Sequence, residues 1–322
     1  MTVYRSLEET PPDFGPTALT IGNFDGVHCG HRQILRRLVA LGRDRGWKAA
    51  VVTFDPHPTR LVAPQRAPRL LTTPQRRAEL MGAEGVDQVL ILPFTRQVAQ
   101  LSAGEFAGDL LAARLGARAV LVGDNFRFGR GQAGNVHWLE EWGPKYGFRT
   151  EIVPAVACRG SVVSSSGIRR LILAGEVSRA ARQLLRPHRL EGAVVSGRGV
   201  GSRQTVPTLN LDTGAEVIPA AGVYLTRTFD PAAGRVWNSI TNIGFRPTFG
   251  LDGQLTIETF LLDPFDGNTP RAIQLDFLWR LRPEIRFPSP EALKAQILKD
   301  AGAARRYFRR ARAWIGRPPK PS

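Results

Sequence analysis

His28 and His31 stand three residues apart with Gly30 between them, inside the run Gly22-Asn23-Phe24-Asp25-Gly26-Val27-His28-Cys29-Gly30-His31. An imidazole that donates an N–H, or carries a proton, neutralises phosphate charge during nucleotidyl transfer without forming a covalent intermediate. Gly30 removes a side chain where a phosphate must come close to the backbone. The same spacing also suits an ordinary surface turn or a metal pair. The flanking segments narrow the choice. Ala18–Ile21 reads as a buried strand, and Ile34-Leu35-Arg36-Arg37-Leu38-Val39 has the apolar spacing of an amphipathic helix. The histidines therefore fall at a strand-to-helix turn, where unpaired N–H groups and the helix dipole favour an anion.

Other polar clusters suit the same chemistry. Ser164, Ser165 and Ser166 precede Arg169, so hydroxyls and helix N–H groups could hold phosphate while the guanidinium adds charge-assisted bonds. A plain helix cap is the alternative. Asn125 can donate and accept in one plane, or serve only as a turn residue. In Phe54-Asp55-Pro56-His57-Pro58 the prolines stiffen a loop after a strand end, the side on which open α/β sheets bind ligands.

Strands are expected at Ala18–Ile21, Ala49–Phe54, Gln88–Leu92, Ala119–Val122 and Glu151–Val153. Ser102-Ala103-Gly104-Glu105 has the form of a capping box opening a periodic stretch from Phe106 to Leu115, and Asn135 is placed to cap a helix carrying Trp138 and Trp142. This alternation predicts a parallel sheet with helices on both faces. From Leu190 onward the pattern changes to short alternating segments at Glu191–Val195, Val223–Thr228, Val236–Thr241, Leu255–Leu262 and Ala272–Leu281, as in a small antiparallel barrel. A last helix has Ser289 as N-cap, Pro290 at its first position, and Leu293, Ile297 and Leu298 as its apolar stripe. The pattern divides the chain into domains 1–185 and 186–322, with a frayed tail from Gly316.

With 322 residues, 43% of them apolar, the chain can bury two cores. Cys29 and Cys158 cannot build a disulfide framework, the start lacks the apolar core of a signal peptide, and no run is long enough to span a membrane. These features predict a cytoplasmic protein. The net charge of +16 invites a nucleic-acid reading, but the arginines are scattered through both halves apart from a short cluster at 305–312. Anionic small ligands suit that distribution better, so no nucleic acid is expected.

Four segments of the first half, in order, carry a family resemblance. The Gly22–His31 run, Phe54–Pro58, Val122-Gly123-Asp124-Asn125-Phe126-Arg127-Phe128-Gly129 and Val163-Ser164-Ser165-Ser166-Gly167-Ile168-Arg169 resemble the signatures of bacterial FAD synthetases, the bifunctional riboflavin kinase/FMN adenylyltransferases; Ser166 replaces a threonine. The resemblance implies a doubly wound, Rossmann-like α/β nucleotidyltransferase domain. It places Gly22, Phe24, Asp25, Gly26, Gly30, Ser164, Ser165, Ser166 and Arg169 on ATP. Phe54, Pro56, His57, Pro58, Phe126 and Phe128 fall on the flavin side, and His28, His31 and Asn125 in catalysis.

In the second half the glycine-rich segment Gly192–Gly201 can wrap phosphates or simply form hairpins. Pro207-Thr208-Leu209-Asn210 resembles the Pro-Thr-Ala-Asn motif of riboflavin kinases, Asn242–Phe249 resembles a further signature, and Glu258 falls where that family has its general base. The resemblance implies a six-stranded antiparallel barrel with a terminal helix. In it, Gly197, Gly201, Thr208 and Asn210 would serve ATP, with Thr208 on Mg²⁺. The family's Gly-Arg-x-Leu-Gly-Phe loop is altered here at Ser202, Gln204, Thr205 and Val206, and its histidine after the base is Phe260. The implied partners are riboflavin, FMN, FAD and ATP, both steps would use Mg²⁺, and the oligomeric state is open. An adenylyltransferase whose kinase-like half only binds or regulates, and a basic nucleic-acid binder, are the competing readings.

Overall fold

The computed structural model describes residues 1–158, 160–195, 208–246, 254–265, 268–285 and 287–315. Gly197, Gly201, the altered loop at 202–206, Pro247–Phe249 of the second signature and the tail from Gly316 lie outside these residues. The chain forms two compact units, Met1–Gly167 and Ile168–Ser322.

In the first unit the apolar runs become strands and the amphipathic runs become helices. In chain order these are β1 (Thr2–Tyr4), β2 (Thr17–Ile21), α1 (Cys29–Arg45), β3 (Lys48–Asp55), α2 (Pro58–Val62), α3 (Pro74–Gly82), β4 (Gln88–Pro93), α4 (Arg96–Gln100), α5 (Ala103–Glu105), β5 (Ala117–Gly123), β6 (Arg127–Phe128), β7 (Gly134–Asn135), α6 (Val136–Trp142), β8 (Arg149–Val153), β9 (Ala157–Cys158), β10 (Ser161–Val162) and the first residues of α7 (Ser165–Leu173), which continues into the second unit from Ile168. Six strands make one parallel sheet in the order β1-β4-β3-β2-β5-β8. Its central strands are buried on both faces, as parallel strands covered by helices must be. One core lies on the side of α1 and α3 (Leu35, Leu38, Met81), the other on the side of Phe106, Leu110 and Leu139. Because β2 sits centrally and the order reverses beside it, the turn after Ile21 opens at a switch point of the sheet.

The expected caps form. Ser102 and Glu105 make the reciprocal capping box, and Asn135 Oδ1 accepts from the Trp138 N–H at 2.9 Å. Beyond Glu105 the expected regular helix is a wide π-helical run over Phe106–Arg114, ending with Leu115 N–H on the Leu110 carbonyl at 3.0 Å.

The second unit holds α8 (Val177–Leu184), then β11 (His188–Val195), β12 (Thr208–Asp212), β13 (Gly222–Asp230), β14 (Arg235–Arg246), β15 (Gln254–Leu261), β16 (Ala272–Pro283) and α9 (Pro290–Ile315). The strands close an antiparallel barrel in the order β11-β12-β15-β14-β13-β16. Since α8 packs on β16 and β11, the units divide after Gly167, ahead of the change in sequence pattern at 185. The barrel core contains Leu190, Leu209, Tyr224, Ile243, Ile257 and Phe277. Five fully buried hydroxyls satisfy one another: Thr228 and Thr226 each bond Ser239 at 2.8 Å, Thr226 bonds Thr241 at 2.8 Å, and Thr241 bonds Thr259 at 2.9 Å.

Helix α9 corrects one expectation. Leu293, Ile297 and Leu298 are 42%, 40% and 65% exposed, so they are not its docking stripe. The helix docks one to two turns later through Ala301, Ala304 and Phe308, which pack with Val223, Leu225 and Ile240. Two alanines allow close approach, and Asp300 anchors the contact by accepting from Arg282 Nε at 2.9 Å and Gln296 Nε2 at 2.8 Å.

Candidate active sites

His28 is the N-cap of α1, with extended backbone, and its Nδ1 accepts from the His31 N–H at 3.4 Å. In the neutral ring that leaves Nε2 as the donor. The His31 ring stacks on His28 at 3.7 Å and 15°, and the Phe24 ring closes its other side at 5.1 Å. Burial, then the charges of His28 and Arg77, hold His31 well below the usual imidazole range. It is a neutral donor, not a standing cation. Gly30 leaves room for this stack: a Cβ there would lie 3.2 Å from His28 Cε1 and 3.3 Å from Nδ1, so the ring would have to shift.

The turn itself bends through positive φ at two side-chain-bearing residues, Phe24 (48°) and Val27 (40°). Asp25, only 2% exposed, braces it. Its carboxylate accepts from the N–H groups of Leu71 at 2.9 Å and Thr72 at 3.1 Å, and its carbonyl accepts from Ser165 Oγ at 2.8 Å. Gly26 N–H donates to Thr72 Oγ1 at 3.1 Å. Ser164 Oγ accepts from Gly167 N–H at 3.1 Å, the helix-cap arrangement. Asp25, Gly26, Ser164 and Ser165 thus hold the turn and the start of α7 in place, while Ser166 and Arg169 lie on that helix.

A cavity of about 750 Å³ opens above this turn. Gly22, Phe24, Asp25, His31, Phe54, Pro58, Asn125, Phe126, Phe128 and Ser165 of the expected residues line it. Its aromatic wall is preset: Phe126 stacks on Phe128 at 5.6 Å, and Phe54 meets Phe94 edge-on at 5.5 Å. A polar turn facing an aromatic wall suits a ligand with a planar ring system and phosphates. Pro56 and His57 do not line this cavity; His57 caps α2, its Nδ1 accepting from Thr59 N–H at 3.3 Å. His28 and Gly30 do not line it either, and act through the ring stack.

In the barrel, alternation decides the faces. Leu209, Leu211, Ile257, Thr259 and Ile243 are buried inward, so Thr208, Asn210, Glu258 and Asn242 share the outer face. Glu258 pairs across strands with Asn210 on β12 and with Asn242 on β14, giving an amide–carboxylate–amide row. Thr208 lies two residues along from Asn210 on the same face. Side-chain oxygens of Thr208 and Asn210 with a carboxylate beside them are a hard donor set of the kind that Mg²⁺ accepts.

Two residues of these sites escaped the sequence reading. Asn242 stood inside a quoted motif without a role. Arg77 had no motif, although it falls three and four residues before the buried Leu80 and Met81, on the apolar side of α3.

The chain thus joins a parallel-sheet unit, with a cavity above its strand-to-helix turn, to a closed antiparallel barrel. Residues 10–167 match the model of the FAD synthetase family and residues 184–308 that of the riboflavin kinase family. Bifunctional riboflavin kinase/FMN adenylyltransferases of Pseudomonas fluorescens and Escherichia coli K12 are 38% and 37% identical to this chain, over 95% and 94% of it and 97% and 96% of their own lengths. A Streptococcus pneumoniae crystal structure titled as a macrolide-efflux protein shares the fold, with a TM-score of 0.83 and 25% identity over 94% of this chain and 98% of its own. Among the described residues no helix is long and apolar enough to cross a membrane. The chain belongs to the bifunctional riboflavin kinase/FMN adenylyltransferase family.

Proposed function

We propose that residues 186–322 phosphorylate riboflavin with ATP to give FMN and ADP, and that residues 1–185 transfer the adenylyl group of a second ATP to FMN, giving FAD and pyrophosphate. The observation that carries the reading is the stacked His28–His31 pair at the start of α1, beside a cavity walled by Phe54, Phe126 and Phe128.

In adenylyl transfer an FMN phosphate oxygen attacks the α-phosphorus of ATP and the bond to the β-phosphate breaks. The charge gathering on the phosphates meets the α1 N-terminus and the His31 N–H donor, which is held in orientation by stacking on His28. The aromatic wall takes the flavin ring, with Asn125 at the junction of ring and phosphate subsites. Ser166 and Arg169 add phosphate contacts from α7.

In the kinase step Glu258 accepts the proton of the ribityl 5′-hydroxyl as that oxygen attacks the γ-phosphorus and ADP leaves. Asn210 and Asn242 are its cross-strand neighbours and flank the carboxylate. Mg²⁺ bound at Thr208 and Asn210 would supply positive charge to the ATP phosphates. Glycines 197 and 201 would add backbone N–H groups to the same phosphates. The reaction needs no membrane or nucleic acid, and a cytoplasmic setting supplies its substrates.

The test is product analysis after incubation with ATP and Mg²⁺. Riboflavin should yield FMN and then FAD; FAD from FMN but none from riboflavin would sink the bifunctional reading. Glu258→Gln should lose FMN formation alone, by about 100-fold or more, and His28→Ala should lose FAD formation alone. A His28→Ala enzyme that keeps both activities would displace the adenylyl-transfer site.

A further inference from the structure

Arg77 is 1% exposed, in the core beneath the Gly22–His31 turn. Its Nη1 donates to the carbonyl of Asn23 and to Thr53 Oγ1 at 3.2 Å, and Thr53 Oγ1 in turn donates to the same carbonyl at 3.2 Å. Its Nε is buried without a partner among the described residues. Burial lowers the guanidinium pKa, against the opposing effect of Asp25 and Asp55. The charge is felt in the site, where it helps to keep His31 neutral.

A buried guanidinium is costly. Removing an ion from water carries a penalty of several kcal/mol, and a leucine or methionine would fill a position beside Leu80 and Met81 without it. The contacts show what the charge does instead. Asn23 precedes Phe24, the first of the two positive-φ residues, so its carbonyl is fixed by the group that also fixes β3 through Thr53. The turn therefore cannot relax without breaking a charge-assisted bond. We propose that Arg77 is a positioning residue for adenylyl transfer, holding the Asn23–Phe24 turn in shape. This rests on the reading of that turn as the adenylyl-transfer site.

The experiment compares Arg77→Met, Arg77→Lys and His31→Ala in the full chain, measuring FMN adenylylation, riboflavin phosphorylation and melting temperature. Arg77→Met should raise the KM for ATP and lower kcat/KM of adenylylation by about 100-fold, with riboflavin phosphorylation within about twofold of the parent. Arg77→Lys should recover adenylylation to within about tenfold, because it keeps the charge and one donor. A merely structural arginine would lower the melting temperature of both variants without this split between KM and kcat. Adenylylation by Arg77→Met within about threefold of the parent overturns the proposal, as does equal loss in the Met and Lys variants. If Arg77→Met does not fold, the lysine variant decides: loss within about tenfold with the parent's melting temperature supports the proposal, and loss of about 100-fold overturns it. His31→Ala separates the two readings. Full adenylylation by that variant removes the site, whereas its loss alongside an active Arg77→Met removes only the role of Arg77.

Discussion

The imidazoles of His28 and His31 lie nearly parallel, 3.7 Å apart, with His28 Nδ1 accepting from the His31 backbone N–H. At that separation two positive charges repel strongly in a partly desolvated site, so the pair does not carry two protons. The packing of the two rings depends on the residue between them.

Gly30→Ala should therefore impair FAD formation without touching riboflavin phosphorylation. The added methyl would lie about 3.2 Å from the His28 ring, which must turn or shift and takes the stack with it. A loss of about 10- to 100-fold in FMN adenylylation is expected. An alanine variant with normal adenylylation would show that the stacked geometry is dispensable.

Asp25 is bound to the Leu71–Thr72 loop through backbone N–H groups, a charged acceptor inside the protein. Asp25→Ala leaves those amides unpaired and should destabilise the first unit by about 3 kcal/mol. Thermal denaturation should show an earlier first transition, with kinase activity surviving it.

His188 is 4% exposed, its Nε2 is 3.0 Å from the Val217 carbonyl, and Phe277 lies beside the ring. Burial drives its pKa down to about 4, helped by Arg186 and opposed by the Val217 carbonyl and Asp276. The unfolded histidine takes up a proton near pH 6.5, which the folded one refuses until about pH 4. Its contribution is thus complete above pH 6.5 and is lost as the pH falls toward 4, about 3 kcal/mol in all. The urea midpoint for loss of riboflavin phosphorylation should fall across that window, and His188→Gln should flatten the fall.

On α9 the exposed and buried faces give opposite outcomes. Leu298→Gln should shift stability by no more than about 0.5 kcal/mol, while Phe308→Ala should cost about 3 kcal/mol or more, because only Phe308 leaves a cavity. Melting curves of the two variants check this.

Most of the framework was legible because its signals are periodic. Ala49–Phe54 is a continuous apolar run, and Ser102–Glu105 is a cap with a local mechanism, so each survived folding unchanged. The failures share a different character. Thr2–Tyr4 is too short to stand out, and Thr208–Asp212 was noticed for its ligands, although Leu209 and Leu211 alternate as a strand should. The apolar side chains of Leu293 and Leu298 did not reveal which turn of α9 would dock, since that depends on small alanines opposite Val223 and Leu225. Within the motifs, which side chains brace the turn was not legible. Asp25 and Ser165 brace where phosphate contacts were expected: Asp25 binds a loop 46 residues downstream, and Ser165 binds Asp25 itself, 140 residues upstream. Arg77 was invisible because an arginine in a helix ordinarily signifies a surface.

The barrel is sealed by pairing its first strand with its last, His188 opposite Phe277 and Gly192 opposite Ile273. The parallel sheet needs nothing beyond β8, which ends at Val153. A chain emerging from the ribosome can thus complete its parallel sheet before residues 272–283 are made. The barrel has to wait for residues 272–283, leaving β11 without its second partner until then. Truncated nascent chains would consequently carry a finished first unit and an open second one. Such fragments would expose the unpaired edges of β11 and β13 to chaperones and to neighbouring chains.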